Sequence, residues 1–590
     1  MTWAVSVLMS ALAVFGWRVE ISAEGLVPTG KPVWALVLAF VCFAVGLRFA
    51  FKDTDKRRVK YAAVYALILA VFWVVGSCFE KMESLRPALI GKRNVLKYLN
   101  LVFSYWTLYF CIAWALFKLI HHSAAKDCSP MKPFSWKRAL IIWAVFSVYY
   151  FGWYLYCYPG NMTYDTGDQF RNALHIYSGL SDFNPAFVTL LIRLVLNVTY
   201  PLTGSYQIST GILTLMQMLI MTFIFALGAD RSARYAKHTL TKVLIFLYFG
   251  AYPVHNIYAV TLWKDVLFSG CVLAFMLCVD SALRDEEGFF KKKSNCLLMF
   301  LSMALLPLLR HNGIAIMAGM AVVLLICFKR CRKSAAIVIG GAVAFFAVWK
   351  FVVCPLITTS KTQSKEALCV PMQQIARIFR EHRDEMDEES IAAWQTYFTE
   401  PEFWTKYSEI LADPVKKIFI SERYDEDPGR FFHMWFDLIK RYPLTALEAF
   451  LHNNFGYWYP DTFYWISPFG VITGEKVKDI HTQQLAKLPW VDGIYNWYAY
   501  HEYRSIPFGY LFTSRGFCFW IWLFCGLYSM YNNRRKFPLF MIGFFIWAVI
   551  LFSAVYAEFR YVYGLFTCLP LIMASTLSAR GHQQVIGDGK

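Results

Sequence analysis

Residues 139–158 (ALIIWAVFSVYYFGWYLYCY) decide the fold class of this protein. They form an uninterrupted apolar run of about twenty residues, the length that an α-helix needs to cross the hydrocarbon core of a membrane. The next segment, residues 159–170 (PGNMTYDTGDQF), is polar and carries Asp165 and Asp168. The sequence therefore places two carboxylates just beyond one end of a predicted membrane helix.

The rest of the 590-residue chain follows the same pattern. Apolar residues make up 58% and charged residues only 17%, which is far from the composition of soluble domains. The apolar residues fall in blocks, and these predict an all-α polytopic membrane protein with about 14 transmembrane helices. The predicted spans are 1–17, 33–51, 61–79, 99–120, 139–158, 205–228, 242–259, 265–283, 295–309, 312–328, 335–357, 508–531, 537–556 and 560–577.

The net charge of +18 does not indicate a nucleic-acid partner. Lys and Arg cluster in short segments between the predicted spans, as the positive-inside rule requires. All but one of the basic segments fall on the same side of the membrane, which we expect to be cytoplasmic, and both termini lie on that side too. The exception is segment 80–97, which falls on the opposite side. The segments on the expected cytoplasmic side are 52–60, 126–138, 231–242, 284–293, 329–333 and 534–536.

This orientation depends on residues 186–202 (AFVTLLIRLVLNVTYPL). A span here would invert every later loop. The segment contains Arg193, Asn197 and Pro201, and we interpret it as an amphipathic helix that lies in the outer interface. The first outer loop then covers residues 158–204, and both aspartates are extracytoplasmic.

The chain divides into five predicted parts. Four accessory transmembrane helices occupy residues 1–138, and a transmembrane core that includes the first outer loop occupies 139–357. A mostly helical extracytoplasmic domain, 358–505, is inserted before the last three helices. Residues 506–579 form the C-terminal transmembrane helices, and 580–590 a cytoplasmic tail. The fifteen cysteines are scattered without a CxxC pair, which argues against a disulfide framework or a zinc site.

Several polar motifs fall at the predicted outer ends of spans. Ionisable groups within or next to the hydrocarbon core of a membrane cost free energy and tend to face a cavity or a partner, so we expect these loops to meet. Structural ion pairs and headgroup anchors are the alternative interpretation. Around one cavity, the cations would hold a phosphate, and a carboxylate would take a proton from an attacking hydroxyl. The motifs are Asn184-Pro185, Lys264-Asp265, Arg310-His311-Asn312-Gly313 and Glu558-Phe559-Arg560-Tyr561.

These residues resemble the GT-C superfamily of integral membrane glycosyltransferases, which use polyprenyl-phosphate sugars. In that family an acidic motif follows a span, as Asp165 and Asp168 do here. Asn184-Pro185 and the interfacial helix after it look like the His-Pro opening of the family's juxtamembrane helices. Arg560-Tyr561 is similar to the Arg-Tyr found late in many members.

The chain also looks like an uncharacterised bacterial family of large membrane proteins grouped with the GT-C enzymes. The resemblance covers about residue 139 to the end. It is carried by Lys264-Asp265, Arg310–Gly313, Pro371-Met-Gln-Gln-Ile-Ala-Arg377 and Asp413-Pro-Val-Lys416.

The resemblance implies a GT-C-like core and an inverting glycosyltransferase of the bacterial cytoplasmic membrane. It would transfer a sugar from a polyprenyl-phosphate-linked donor to a cell-envelope glycan on the extracytoplasmic side, with membrane lipid as its surroundings. The implied role of Asp165 is general base, and Asp168 would orient the acceptor or be the base instead. The residues implied to bind the donor phosphate are Lys264, Arg310, His311 and Arg560. Those implied to bind substrate are Gln169, Asn184, Asp265, Asn312 and Tyr561.

We expect no cofactor with a lipid-monophosphate donor, because cationic side chains can stabilise the leaving phosphate. A lipid-pyrophosphate donor would favour a divalent metal such as Mg or Mn at Asp165 or Asp265. The rival interpretation is a transporter or flippase of lipid-linked saccharides, although the halves show no repeat and the acids lie at one face. A non-catalytic scaffold of envelope assembly is a third.

Overall fold

The computed structural model of the protein describes residues 2–125, 131–174, 179–360, 364–464, 480–552 and 555–578. The predicted tail, 580–590, lies outside the described residues. Within them the chain is mostly helical, with two small two-stranded sheets.

The N-terminal part contains five helices and a short antiparallel hairpin between the first two. The elements are α1 (Thr2–Gly16), β1 (Val19–Ser22), β2 (Gly25–Pro28), α2 (Val33–Phe51), α3 (Lys56–Met82), α4 (Arg86–Leu89) and α5 (Lys92–Ala125).

The central part holds most of the remaining long helices. A five-residue π-helix, Trp349–Val353, continues its last long helix, and its two strands pair in parallel. The elements are α6 (Trp136–Tyr156), α7 (Tyr164–Ala173), β3 (Leu180–Ser181), α8 (Ala186–Thr203), α9 (Tyr206–Tyr235), α10 (Thr239–Ala251), α11 (Pro253–Ala259), α12 (Lys264–Arg284), α13 (Glu286–Lys291), α14 (Lys293–Leu309), α15 (Gly313–Cys327), α16 (Arg332–Val348), α17 (Cys354–Ile357) and β4 (Thr358–Ser360).

The polar segment that follows is built from short helices, and three long helices close the chain. The short ones are α18 (Cys369–His382), α19 (Glu388–Gln395), α20 (Asp413–Lys417), α21 (Ser421–Glu426), α22 (Pro428–Arg441), α23 (Pro443–His452) and α24 (Pro489–Ala499). The last three are α25 (Arg515–Asn532), α26 (Phe537–Ile550) and α27 (Phe559–Leu577). Single 3₁₀ turns cover Ser364–Ala367, Arg383–Glu385, Phe403–Lys406, Phe455–Tyr457, Glu502–Ser505, Gly509–Thr513 and Arg534–Lys536.

These helices agree with an all-α polytopic membrane protein. Among the described residues, nine helices are long and apolar enough to cross a membrane, and three more apolar helices are shorter. Every predicted span coincides with helical structure, with two corrections. The predicted span 242–259 is divided into α10 and α11 at Tyr252, which is extended because Pro253 follows it. α25 begins at Arg515 rather than at 508, because the side chain of Ser514 caps it by accepting from the Phe517 N–H. The count of about fourteen stays a prediction.

The described residues of the predicted cytoplasmic segments gather at one end of the helix bundle, which we call the basic end. Arg138, at the start of α6, pairs with Asp230 near the end of α9. Arg231 Nε and Lys536 Nζ each lie 2.9 Å from a carboxylate oxygen of Asp280 near the end of α12. Buried carboxylates thus hold the ends of several helices together, and paired charges of this kind tolerate burial.

The opposite end, which we call the site end, carries both ends of α8. Asn184 lies just before α8 and accepts a hydrogen bond of 2.7 Å from Lys264 at the start of α12. Tyr206 follows α8 and begins α9, which runs to Tyr235 at the basic end. An interfacial helix therefore remains our interpretation of this segment, which has the length and composition of a span.

The N-terminal helices pack on the last part of the chain. Tyr65 on α3 donates a hydrogen bond of 3.1 Å to the carbonyl oxygen of Trp520 on α25. The fully buried carboxylate of Glu448 on α23 accepts from the Leu85 N–H at 2.6 Å and pairs with Arg377 at 3.0 Å. These contacts join the N-terminal part to the polar segment and to α25.

The polar segment has its own hydrophobic core around α18. The motif at Pro371–Arg377 lies on this helix. Gln373 and Gln374 donate to the carbonyl oxygens of Ser408 and Ala446 at 2.7 and 3.0 Å. The polar side chains of this motif therefore hold the segment together from within.

Candidate functional site

Asp165 lies in the first turn of α7 and contacts cations from two other helices. Its Oδ2 accepts hydrogen bonds from Lys264 Nζ at 2.7 Å and from Arg560 NH1 at 2.6 Å. Although burial opposes ionisation, the two cations prevail and hold the pKa of Asp165 well below its usual range. At neutral pH this carboxylate is therefore ionised.

A second carboxylate, Asp265, lies next to this group in the first turn of α12. Its side chain is fully buried, with Arg310 NH1 at 3.1 Å and Arg560 NH1 at 4.0 Å. The N-terminal end of a helix also favours a negative charge there. We call Asp165, Asp265, Lys264, Arg310 and Arg560 the carboxylate–cation cluster.

Aromatic rings cover the two guanidinium groups of the cluster. Arg310 lies 4.3 Å from the ring centre of Tyr561, and Arg560 lies 4.6 Å from that of Trp263. Such contacts orient a guanidinium plane and compensate part of its lost hydration. The geometry leaves the cations buried but charged, which suits them for an anionic ligand.

Two amides predicted to bind substrate lie close by. The Nζ of Lys264 donates a hydrogen bond of 2.7 Å to Asn184 Oδ1 as well as the one to Asp165 Oδ2. Gln169 lies one helical turn after Asp165 on the same face of α7, is almost fully buried, and its Nε2 has no hydrogen-bond partner among the described residues. A buried donor without a partner is costly, and it is consistent with a ligand that supplies an acceptor.

Three other predicted site residues lie outside these contacts. Asp168 is about two-fifths exposed and pairs with Arg171 on its own helix. His311 bonds through Nε2 to the Asp182 carbonyl oxygen at 2.9 Å, and burial lowers its pKa. Asn312 is exposed. The structure therefore separates Asp165 from Asp168, which the sequence treats alike.

Glu558 is a further member of the site to which sequence reasoning assigns no role. It precedes α27, is 1% exposed, and its Oε1 lies 3.7 Å from Arg560 Nε. Burial raises its pKa to about 7, and the neighbouring charges of Asp265 and Asp165 act in the same direction. Its place two residues before Arg560 was the available signal, but the perturbed pKa depends on tertiary contacts.

Backbone contacts explain why these distant segments meet. The Asn161 N–H donates to Val260 O at 2.9 Å, and the Leu262 N–H donates back to Asn161 O at 2.8 Å. This bridge fixes the start of the first outer loop against the residues that lead into α12. The turn that presents Arg310 requires Gly313, because a Cβ there would lie 2.2 Å from the Leu306 carbonyl oxygen.

The carboxylates of the cluster face cations. Lys264 Nζ and Arg560 NH1 both contact Oδ2 of Asp165, and Arg310 NH1 lies 3.1 Å from Oδ1 of Asp265; a metal ion bound through these oxygens would have to displace the cations. Among the described residues, no three His, Cys, Asp or Glu side chains stand close enough to hold a metal ion. The donor set instead suits an anion held by Lys and Arg.

The fold and the site define an all-α polytopic membrane protein with a buried carboxylate–cation cluster at one end of its helix bundle. The chain belongs to the family of unknown function DUF6020, which it matches over residues 175–585. This range includes every member of the cluster except Asp165. No curated protein and no solved structure matches the chain.

Proposed function

We propose that this protein is an inverting glycosyltransferase that moves a sugar from a polyprenyl-phosphate-linked donor to a cell-envelope glycan. One observation carries the proposal: the buried carboxylate of Asp165 lies within 2.7 Å of two cations, Lys264 and Arg560. Transfer from a lipid phosphate needs cations for the phosphate and a base for the attacking hydroxyl, and this arrangement supplies both.

Binding of the donor would activate the base. With both cations in contact, Asp165 is a weak base because its pKa is well below the usual range. A donor phosphate competes for Lys264 and Arg560, and Arg310 adds a third positive charge nearby. As the cations turn to the phosphate, the pKa of Asp165 rises toward that of an ordinary carboxyl group. The strong base is then present only in the donor complex.

In the reaction, the acceptor hydroxyl gives its proton to Asp165 and its oxygen forms a bond with the anomeric carbon. The bond between that carbon and the phosphate oxygen breaks, and its electron pair leaves on the polyprenyl phosphate. Lys264 and Arg560 stabilise the charge that develops there. Attack from the face opposite to the phosphate inverts the anomeric centre. Asp168, on the same helix, would orient the acceptor. With a lipid-monophosphate donor these steps require no metal ion, because the cationic side chains stabilise the leaving phosphate.

The sidedness proposed for the site rests on charge. The basic segments gather at the end of the bundle away from Asp165, and such segments face the cytoplasm under the positive-inside rule. The cluster then opens to the outer side of a bacterial cytoplasmic membrane, where envelope glycans are available.

The test compares the wild type with Asp165→Asn in proteoliposomes. Labelled polyprenyl-phosphate sugar is supplied with envelope glycan, and transfer is measured per folded molecule. We expect Asp165→Asn to lower transfer by a factor on the order of 100 or more, because it removes the base. Asp280→Asn is the matched control, since Asp280 is also a buried carboxylate with two cations at 2.9 Å, but at the basic end. It should destabilise the fold and leave transfer per folded molecule intact.

Other outcomes assign the roles differently. Full transfer by Asp165→Asn together with loss in Asp168→Asn would make Asp168 the base. If wild-type protein transfers no sugar but moves lipid-linked saccharide across the bilayer, the flippase replaces the glycosyltransferase.

A further inference from the structure

A cavity of about 740 Å³ lies at the basic end, away from the carboxylate–cation cluster. Its walls come from α5, α10, α27 and the turn between α9 and α10. α27 begins beside the cluster at Arg560 and reaches the cavity with Met573 and Leu577. At 1.5 Å per helical residue, Arg560 and Leu577 are about 25 Å apart. The cavity is therefore a separate site.

The walls of the cavity are apolar, and the Lys and His side chains that line it come from one turn. Leu244, Leu569 and Met573 face it from the long helices, whereas Lys237 and His238 come from the turn between α9 and α10. Both of these residues are exposed. An apolar volume of this size with polar groups on one side is typical of a site for an amphipathic ligand.

Lys237 stands apart from the ion pairs of the basic end. Its neighbours Arg231 and Arg234 pair with Asp280 and Asp230 at 2.9 Å. Among the described residues, no carboxylate lies within ion-pair distance of Lys237. A lysine that lies outside these ion pairs and beside an apolar cavity is complementary to an anionic headgroup with hydrocarbon chains.

We propose that this cavity binds one anionic phospholipid, with its acyl chains between α10 and α27 and its phosphate at Lys237 and His238. Leu119 and Ile120 of α5 form part of the wall. The lipid would therefore join the N-terminal helices to the transmembrane core, which gives that part of the chain a function. The site does not depend on the sugar-transfer reaction.

The test uses the purified full-length protein in detergent. Phosphatidylglycerol and phosphatidylcholine with the same acyl chains are titrated separately, and bound lipid is counted by native mass spectrometry. We expect the wild type to bind phosphatidylglycerol about fivefold more tightly than phosphatidylcholine. This is the effect of one lysine near a headgroup with a net negative charge, which phosphatidylcholine lacks. Lys237→Glu should abolish this preference. Met573→Trp should reduce binding of both lipids, because the larger side chain fills the cavity.

Lys329→Glu is the matched control, because Lys329 is an exposed lysine of a predicted cytoplasmic loop and does not line the cavity. It should keep the wild-type preference. Equal binding of the two lipids by the wild type would overturn the proposal. So would loss of the preference in Lys329→Glu, since the basic end as a whole would then attract the lipid. If an isoprenoid phosphate is the one lipid that displaces bound phosphatidylglycerol, the cavity belongs to that lipid and the phospholipid proposal is overturned.

Discussion

Replacing Glu558 by glutamine should flatten the pH dependence of stability between pH 4.5 and about 7. These are the pKa values of its carboxyl group in the unfolded chain and in the folded protein. Glu558 is 1% exposed beside Arg560, and its Oε1 has no hydrogen-bond partner among the described residues. Charged groups face it from other elements as well: Arg515 on α25, Asp265 on α12 and Asp165 on α7. The carboxylates and the burial outweigh the cations, so the neutral form is favoured.

The magnitude follows from the shift. A rise in pKa from 4.5 to about 7 corresponds to about 3 kcal/mol between the two protonation states. Because the pKa is higher in the folded protein, this contribution is fully present below pH 4.5 and is lost as the pH rises through 7. Glutamine stays neutral throughout. The difference in stability between Glu558→Gln and the wild type should therefore grow by about 3 kcal/mol from pH 4.5 to pH 8.

The assay is thermal unfolding of detergent-purified protein at a series of pH values. For a chain of this length, about 3 kcal/mol shifts the melting temperature by about 2 °C or more, since the entropy of unfolding scales with the number of residues. The melting temperature of Glu558→Gln minus that of the wild type should be larger at pH 8 than at pH 5. The comparison of each variant with wild type at the same pH cancels the titration of other groups.

Glu448→Gln is the control for loss of a buried carboxylate. Glu448 is fully buried, but its oxygens accept from the Leu85 N–H and Arg377, so its replacement should lower the melting temperature. If the curves of Glu558→Gln and the wild type run parallel from pH 5 to pH 8, Glu558 ionises normally. The reasoning about its burial would then be refuted.

Two further predictions concern the contacts of the site. Arg560→Lys keeps the charge but loses the guanidinium that reaches Asp165 and lies over Trp263. Sugar transfer should therefore fall about tenfold or more. Unchanged transfer would contradict a role of Arg560 in phosphate binding. Gly456→Ala brings a Cβ within 2.7 Å of the Tyr556 carbonyl oxygen; it should cost about 1–3 kcal/mol of stability, read as a lower melting temperature, and an unaltered melting temperature would show that the contact relaxes freely.

The helices could be predicted from the sequence because a membrane span depends on a local run of residues. The lipid core offers no hydrogen bonds, so an apolar block of sufficient length must close its own as a helix. α12 and α27 were therefore predicted to within one residue at each end. The positions of Lys264 and Arg560 at span ends follow from the same property.

The pairings within the site could not be predicted. Asp165 and Asp168 are three residues apart and chemically identical. Only the packing of α7 against α12 and α27 brings Asp165 to Lys264 and Arg560 and leaves Asp168 with Arg171.

The pKa of Glu558 depends on the same packing, because it arises from burial beside carboxylates that lie far away in the sequence. The sequence by itself thus determined the helices and the kinds of charge at their ends. The tertiary structure alone decided which charges meet, because electrostatic energy depends on distance and burial rather than on chain order.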